Sequence, residues 1–131
     1  MEHLFVSYEI AMQLKGKGFD ENCFAKYNLK KQIDFFERPQ AFYCVNSKSS
    51  WFSPIFSSKK TIAKVCTAPT HQQVVDWFRD KHSILISVDN DGKEYFYVFT
   101  FLKNNDRHIL EGFNSYYEAF NKSIKEALKL I

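Results

Sequence analysis

The sequence predicts a single α+β domain over residues 1–131, with an antiparallel sheet of about three to five strands packed by amphipathic helices. Three observations carry that prediction. Two segments, 70–81 and 116–130, repeat apolar residues at helical spacing behind capping residues. Between them lie three β-rich runs separated by short Asn/Asp turns, so the C-terminal half reads α-β-β-β-α. The length of 131 residues suits one domain, and 23 of those residues are Phe, Tyr or Trp, so that either the core is large and aromatic or some rings are exposed for binding.

The first helix is expected at 8–16. Ser7 can cap it, and Ile10, Ala11 and Leu14 recur on one side. Gly16 and Gly18 in "KGKGF" end it, and Phe19 can fold back onto it. Residues 20–38 fit two readings. One is a helix with Phe24, Tyr27, Lys31 and Phe35 on one side; the other is a short strand and a loop. Pro39 stops either one. "AFYCVN" (41–46) is rich in β-formers and reads as a strand. Residues 47–60 hold six Ser and one Pro, and read as a loop long enough to suggest a function. A short strand over 61–65 leads out of it.

In the helix at 70–81, Thr70 and Gln73 fit a capping box and Pro69 sits where a missing amide costs least. His71, Val74, Val75, Trp77 and Phe78 share one arc, opposite Gln72, Gln73, Asp76, Arg79 and Asp80. "SILISV" alternates as a half-buried strand, and "DNDG" (89–92) supplies a hairpin turn. The strand over 94–102 is apolar on both sides, with Tyr95, Tyr97, Phe99 and Phe101 facing one way and Phe96, Val98, Thr100 and Leu102 the other. Such a strand has something packed on each face or offers one face to a partner. "NND" turns the chain again and "RHILEGF" forms a third strand. Ser115 and Glu118 open the last helix, with Tyr116, Phe120, Ile124, Ala127, Leu128 and Ile131 as its stripe and a Glu118–Lys122 pair outside.

Charge and cysteine usage narrow the function classes. The net charge is +3; residues 1–65 carry ten Lys/Arg against six Asp/Glu and residues 66–131 eight against nine. That mild basic bias falls short of a nucleic-acid-binding tail. Cys23, Cys44 and Cys66 are an odd number without CxxC spacing, which argues for reduced thiols and a cytoplasmic setting. Glu2 and Glu9 interrupt the N-terminus, so it does not read as a signal peptide, and no apolar run is long enough to span a membrane.

No catalytic, metal or cofactor pattern emerges. His71 and His82 would lie about 16 Å apart along a helix, too far to share a metal. Cys44 or Cys66 with His71 could make a nucleophile and base, yet no GxSxG elbow or glycine-rich segment supports it. Asp76 with Asp80, and Asp89 with Asp91, read as solvated surface and turn chemistry. The loop 47–60 is the one segment with binding character. Lys48, Trp51, Phe52, Phe56, Lys59 and Lys60 interleave cations and rings, as nucleotide-holding surfaces do. The plainer reading pins Trp51 and Phe52 to the body and leaves the lysines in water.

The stretches "SYEIAMQLKGKGFDE", "APTHQQVVDWFRDKHSI" and "YYEAFNKSIKEALKLI", about a third of the chain, resemble a group of short uncharacterised proteins from Bacteroides-like bacteria and their phages. The resemblance implies small accessory genes of phages or mobile elements and no particular chemistry. The α-β-β-β-α order is also similar to that of double-stranded RNA-binding domains. The first turn of the last helix, "SYYEAF", lacks their phosphate-facing lysines, and Lys122, Lys125 and Lys129 lie farther along. The expectation is a non-catalytic cytoplasmic accessory protein that binds a protein partner or itself, since spare aromatics favour an interface. A nucleic-acid or nucleotide binder using the loop stands second, and a small-molecule-sequestering or host-inhibitory phage protein third.

Overall fold

A computed structural model describes residues 2–41, 44–47 and 63–131. Its elements run α1 (Tyr8–Gly16), β1 (Cys23–Tyr27), β2 (Ile33–Gln40), β3 (Cys44–Ser47), β4 (Ala63–Ala68), α2 (His71–His82), β5 (Ile84–Asn90), β6 (Tyr95–Phe101), β7 (Asp106–Phe113) and α3 (Tyr116–Leu128). The α+β class and the C-terminal α-β-β-β-α order are those expected. The strands form two antiparallel sheets in place of one: a four-stranded sheet ordered β2-β1-β4-β3 and a three-stranded sheet ordered β5-β6-β7.

Local chemistry accounts for each helix. The Ser7 hydroxyl accepts from the Ile10 amide at 3.4 Å and starts α1. Gly18, at φ +83°, turns the chain so that the Phe19 amide bonds back to the Leu14 carbonyl at 3.2 Å. The Phe19 ring then packs edge-on against Trp77, 5.5 Å away. In α2 the capping box is complete. Gln73 N–H donates to Thr70 Oγ1 at 3.2 Å, and Thr70 N–H donates to Gln73 Oε1 at 2.9 Å. The five arc residues His71, Val74, Val75, Trp77 and Phe78 are the buried ones. Ser83, left-handed at φ 57°, is the single residue between α2 and β5.

Residues 20–38 resolve in favour of strands. Pro39 does not stop β2 but sits next to its last residue. It can do so because β2 is an edge strand, where a missing amide leaves no ladder bond broken. The β5–β6 turn also lies two residues later than 89–92. Asp89 and Asn90 remain in β5, and Asp91 Oδ1 accepts from the Lys93 and Glu94 amides at 2.9 and 3.0 Å. Those bonds lower the Asp91 pKa below the usual carboxylate value. In α3 the predicted Glu118–Lys122 pair is replaced. Glu118 reaches back to the Asn114 amide at 3.1 Å, and Lys122 pairs with Glu126 at 2.9 Å. The first turn needs its amides satisfied more than it needs a surface ion pair.

One core joins the layers. α1 packs on β3, β4 and α3; α2 packs on β5 and α3; α3 packs on β5, β6 and β7. Val6, Ile10, Leu14, Val74, Phe78 and Ile124 are fully enclosed within it. Among the described residues Phe78 is the largest fully buried side chain. Phe78→Ala should therefore cost about 3–5 kcal/mol, measured by chemical denaturation.

Candidate functional site

The binding residues proposed from sequence, Lys48, Trp51, Phe52, Phe56, Lys59 and Lys60, lie outside the described residues. The chemistry-bearing residues elsewhere are taken up by structure. Cys66 is buried in β4, and burial pushes the Cys23 thiol up to about 11, so it stays protonated at neutral pH. Asp76 and Asp80 both clasp Arg79, at 2.9 Å each. Lys122 and Lys129 share Glu126 at 2.9 Å, so neither is poised for a phosphate. Among the described residues no three His, Cys, Asp or Glu side chains converge in a metal-binding group.

His71 is tied into the fold rather than opened to a substrate. Its Nδ1 lies 3.1 Å from the Leu4 carbonyl and its Nε2 3.2 Å from Asn121 Oδ1, which also accepts from the Ser7 amide at 3.3 Å. Two acceptors would suit a doubly protonated ring, and both raise its pKa. Burial works in the opposite direction and is larger, and the charge of nearby His3 adds to it, so the pKa falls below 6.5. The rings of Tyr117 and Phe120, at 6.0 and 5.1 Å, supply that burial. A neutral ring keeps its bond to Leu4 through Nδ1–H. Turning the Asn121 amide over would give Nε2 a donor, at the cost of the Ser7 bond.

His82 is the last residue of α2. Its ring stands edge-on to Trp77 at 4.6 Å, its Nε2 is buried with no hydrogen-bond partner, and burial lowers its pKa. It lines an open cleft of about 520 Å³ with Lys81, Ser83, Lys103 and Asn104 above an apolar floor of Ile84, Phe101 and Leu130. Among the described residues that line it, Lys81 and Lys103 bring ammonium groups to this cleft, and Ile131 lines it too.

The C-terminal sheet has one face in the core and one outside it. Register places Tyr95, Tyr97, Phe99 and Phe101 on the face covered by α3, where Tyr95 meets Tyr116 ring to ring at 6.2 Å. Thus one face of the doubly apolar strand is core. The opposite face carries Leu85, Ser87 and Asp89 from β5, Phe96, Val98 and Thr100 from β6, and Arg107, Ile109 and Glu111 from β7. Phe96, Val98, Leu85 and Ile109 stand outside the core cluster. Val98 is nevertheless shielded by its own neighbours, because β6 is flanked on both sides and its partners are Ser87 and Ile109. β5 and β7 are the two edges of this sheet, and along β7 every position from Asp106 to Gly112 is exposed, with Ile109 at 56% and Leu110 at 46%.

Sequence reasoning found this strand but not that it lies at an edge. The available signal was its composition, since "DRHILEGF" mixes charges and a glycine into a β-rich run, as edge strands do. The fold and this edge define a small α+β protein in which one face of the β5-β6-β7 sheet has no cover among the described elements. No family model, no curated protein and no solved structure matches the chain. No helix among the described residues is long and apolar enough to cross a membrane.

A histidine whose pKa is lowered by folding takes up a proton more readily in the unfolded chain. Its contribution to stability is full above the unfolded value of 6.5 and is lost as pH falls through the folded one. Thermal melts should therefore shift downward as pH is lowered from 7 toward 5. The slope should be shallower in His71→Gln, with His82 supplying a residual effect of the same sign.

Proposed function

We propose that this chain acts by associating with protein through the free β7 edge and the open face of the β5-β6-β7 sheet. The observation that carries the reading is an eight-residue edge strand whose apolar residues Ile109 and Leu110 lie about half exposed on opposite faces. An edge strand offers unpaired amides and carbonyls to an incoming strand, and alternate side chains then set which strand is accepted. The open face adds the partly exposed Phe96 and Leu85 as apolar area beside that edge. His71 and Cys23 are held in structural roles, which favours a binding protein over an enzyme. The setting, an accessory protein of a phage or mobile element, rests on the sequence resemblance.

Sedimentation with and without cell extract tests this reading. The chain should run larger than a monomer, alone or with extract, and Ile109→Lys should weaken that association by about tenfold or more with an unchanged circular dichroism spectrum. A monomer under both conditions would refute it.

A second reading has its own observation. The cleft beside His82 joins Lys81 and Lys103 above an apolar floor, a surface suited to a small organic anion. Small carboxylates or phosphate esters should then raise the melting temperature, and Lys103→Glu should remove the rise. An identical rise in the variant would count against the cleft.

A further inference from the structure

We propose that β7 pairs antiparallel with β7 of a second copy, across a two-fold axis at Ile109, joining two three-stranded sheets into one of six. This rests on the reading of the β7 edge as an association surface and names its partner.

The argument begins with charge. Arg107 and Glu111 lie on the open face with Ile109 midway between them. Both charged residues are exposed, and neither is ion-paired among the described residues. Charges on an edge normally repel an incoming strand. Here their signs are opposite and their spacing about Ile109 is symmetric, which turns the same device into a lock for one partner.

A two-fold axis perpendicular to the sheet keeps each face on its own side, so opposite residues in the new ladder share a face. Centred on Ile109, the pairing sets Ile109 against its own copy. It sets Arg107 of each chain against Glu111 of the other, twice. On the helix-covered face it sets His108 against Leu110. Opposed charges directly across strands attract and like charges repel. Moving the centre one residue, to His108 or Leu110, would put Ile109 opposite Arg107 or Glu111 and leave the other charge without its counter-ion. The pattern therefore selects a single register.

The geometry of the strand agrees. The ladder between β6 and β7 is regular from Asp106 to Glu111 and breaks at Gly112, a bulge with φ +97°. The five residues from Arg107 to Glu111 are those the self-pairing uses, and they end where the edge stops being straight. Both open faces then lie on the same side of the joined sheet, with Phe96 and Ile109 from each chain forming one apolar strip.

The test is a charge swap followed by sedimentation equilibrium on the whole chain. Wild type should dimerise. Arg107→Glu alone and Glu111→Arg alone should each weaken the dimer by about tenfold or more, because each places like charges opposite one another twice. The double swap should restore affinity to within about threefold of wild type. Melting curves report folding independently, and rescue by the double swap excludes a folding defect as the cause. A dimer indifferent to the single swaps, or one weakened further by the double swap, would overturn the pairing. A wild-type chain that stays monomeric would also overturn it. If extract still produced an Ile109-dependent size shift, the wider reading of the edge would survive; without that shift both would fall.

Discussion

Buried main-chain polar groups must find partners, and residues 4–7 present several of them where the four-stranded sheet meets α2 and α3. The Leu4 carbonyl faces His71 Nδ1 at 3.1 Å. The Val6 amide donates to the Pro69 carbonyl at 3.0 Å, and the Val6 carbonyl accepts the Tyr27 hydroxyl. The Ser7 amide donates to Asn121 at 3.3 Å. Phe5 forms a bridge with Thr70, the residue that also caps α2. This short segment ties β1, the entry to α2 and the middle of α3 together. Val6 itself has no exposed surface, so none of its bonds can be exchanged for water without opening the core.

Everything on the far side of α3 follows from that closure. With α1 and α2 fixed against it, α3 offers Phe120, Ile124, Ala127 and Leu128 as a buried stripe. The β5-β6-β7 sheet covers that stripe with a single face. Three strands and one helix layer leave the second face without a cover among the described elements. β6 tolerates this because its neighbours shield Val98, whereas β7, like β5, has a neighbour on one side only. The exposed apolar residues of β7 are therefore a consequence of where the layers run out, and the charges beside them decide what can be accepted there.

The helices were legible in the sequence down to their caps. Ser7, Thr70 with Gln73, and Ser115 all take the roles that residue type and spacing assign, because capping is a local interaction. The arc on α2 was read residue for residue. What the sequence could not reveal was nonlocal. Nothing local tells that β1 pairs with both β2 and β4, or that the strands divide into two sheets. Pro39 was misjudged for that reason, since its tolerance depends on an edge position. The hydrogen bonds of His71 lie beyond local pattern because Leu4 and Asn121 are 67 and 50 positions away. The candidate edge was hidden in the same manner: residue alternation marks a strand, while the number of neighbours is a property of the whole topology.

The one-residue link at Ser83 has a kinetic consequence. From α2 through β7 the chain pairs with what immediately precedes it, helix to strand and strand to hairpin. In the other sheet, Ala25 must find Ala68 across more than forty intervening residues. Loop-closure entropy makes the first kind of contact fast and the second slow. Folding is thus expected to nucleate in the C-terminal meander, with the four-stranded sheet assembling afterwards onto a template that already exists.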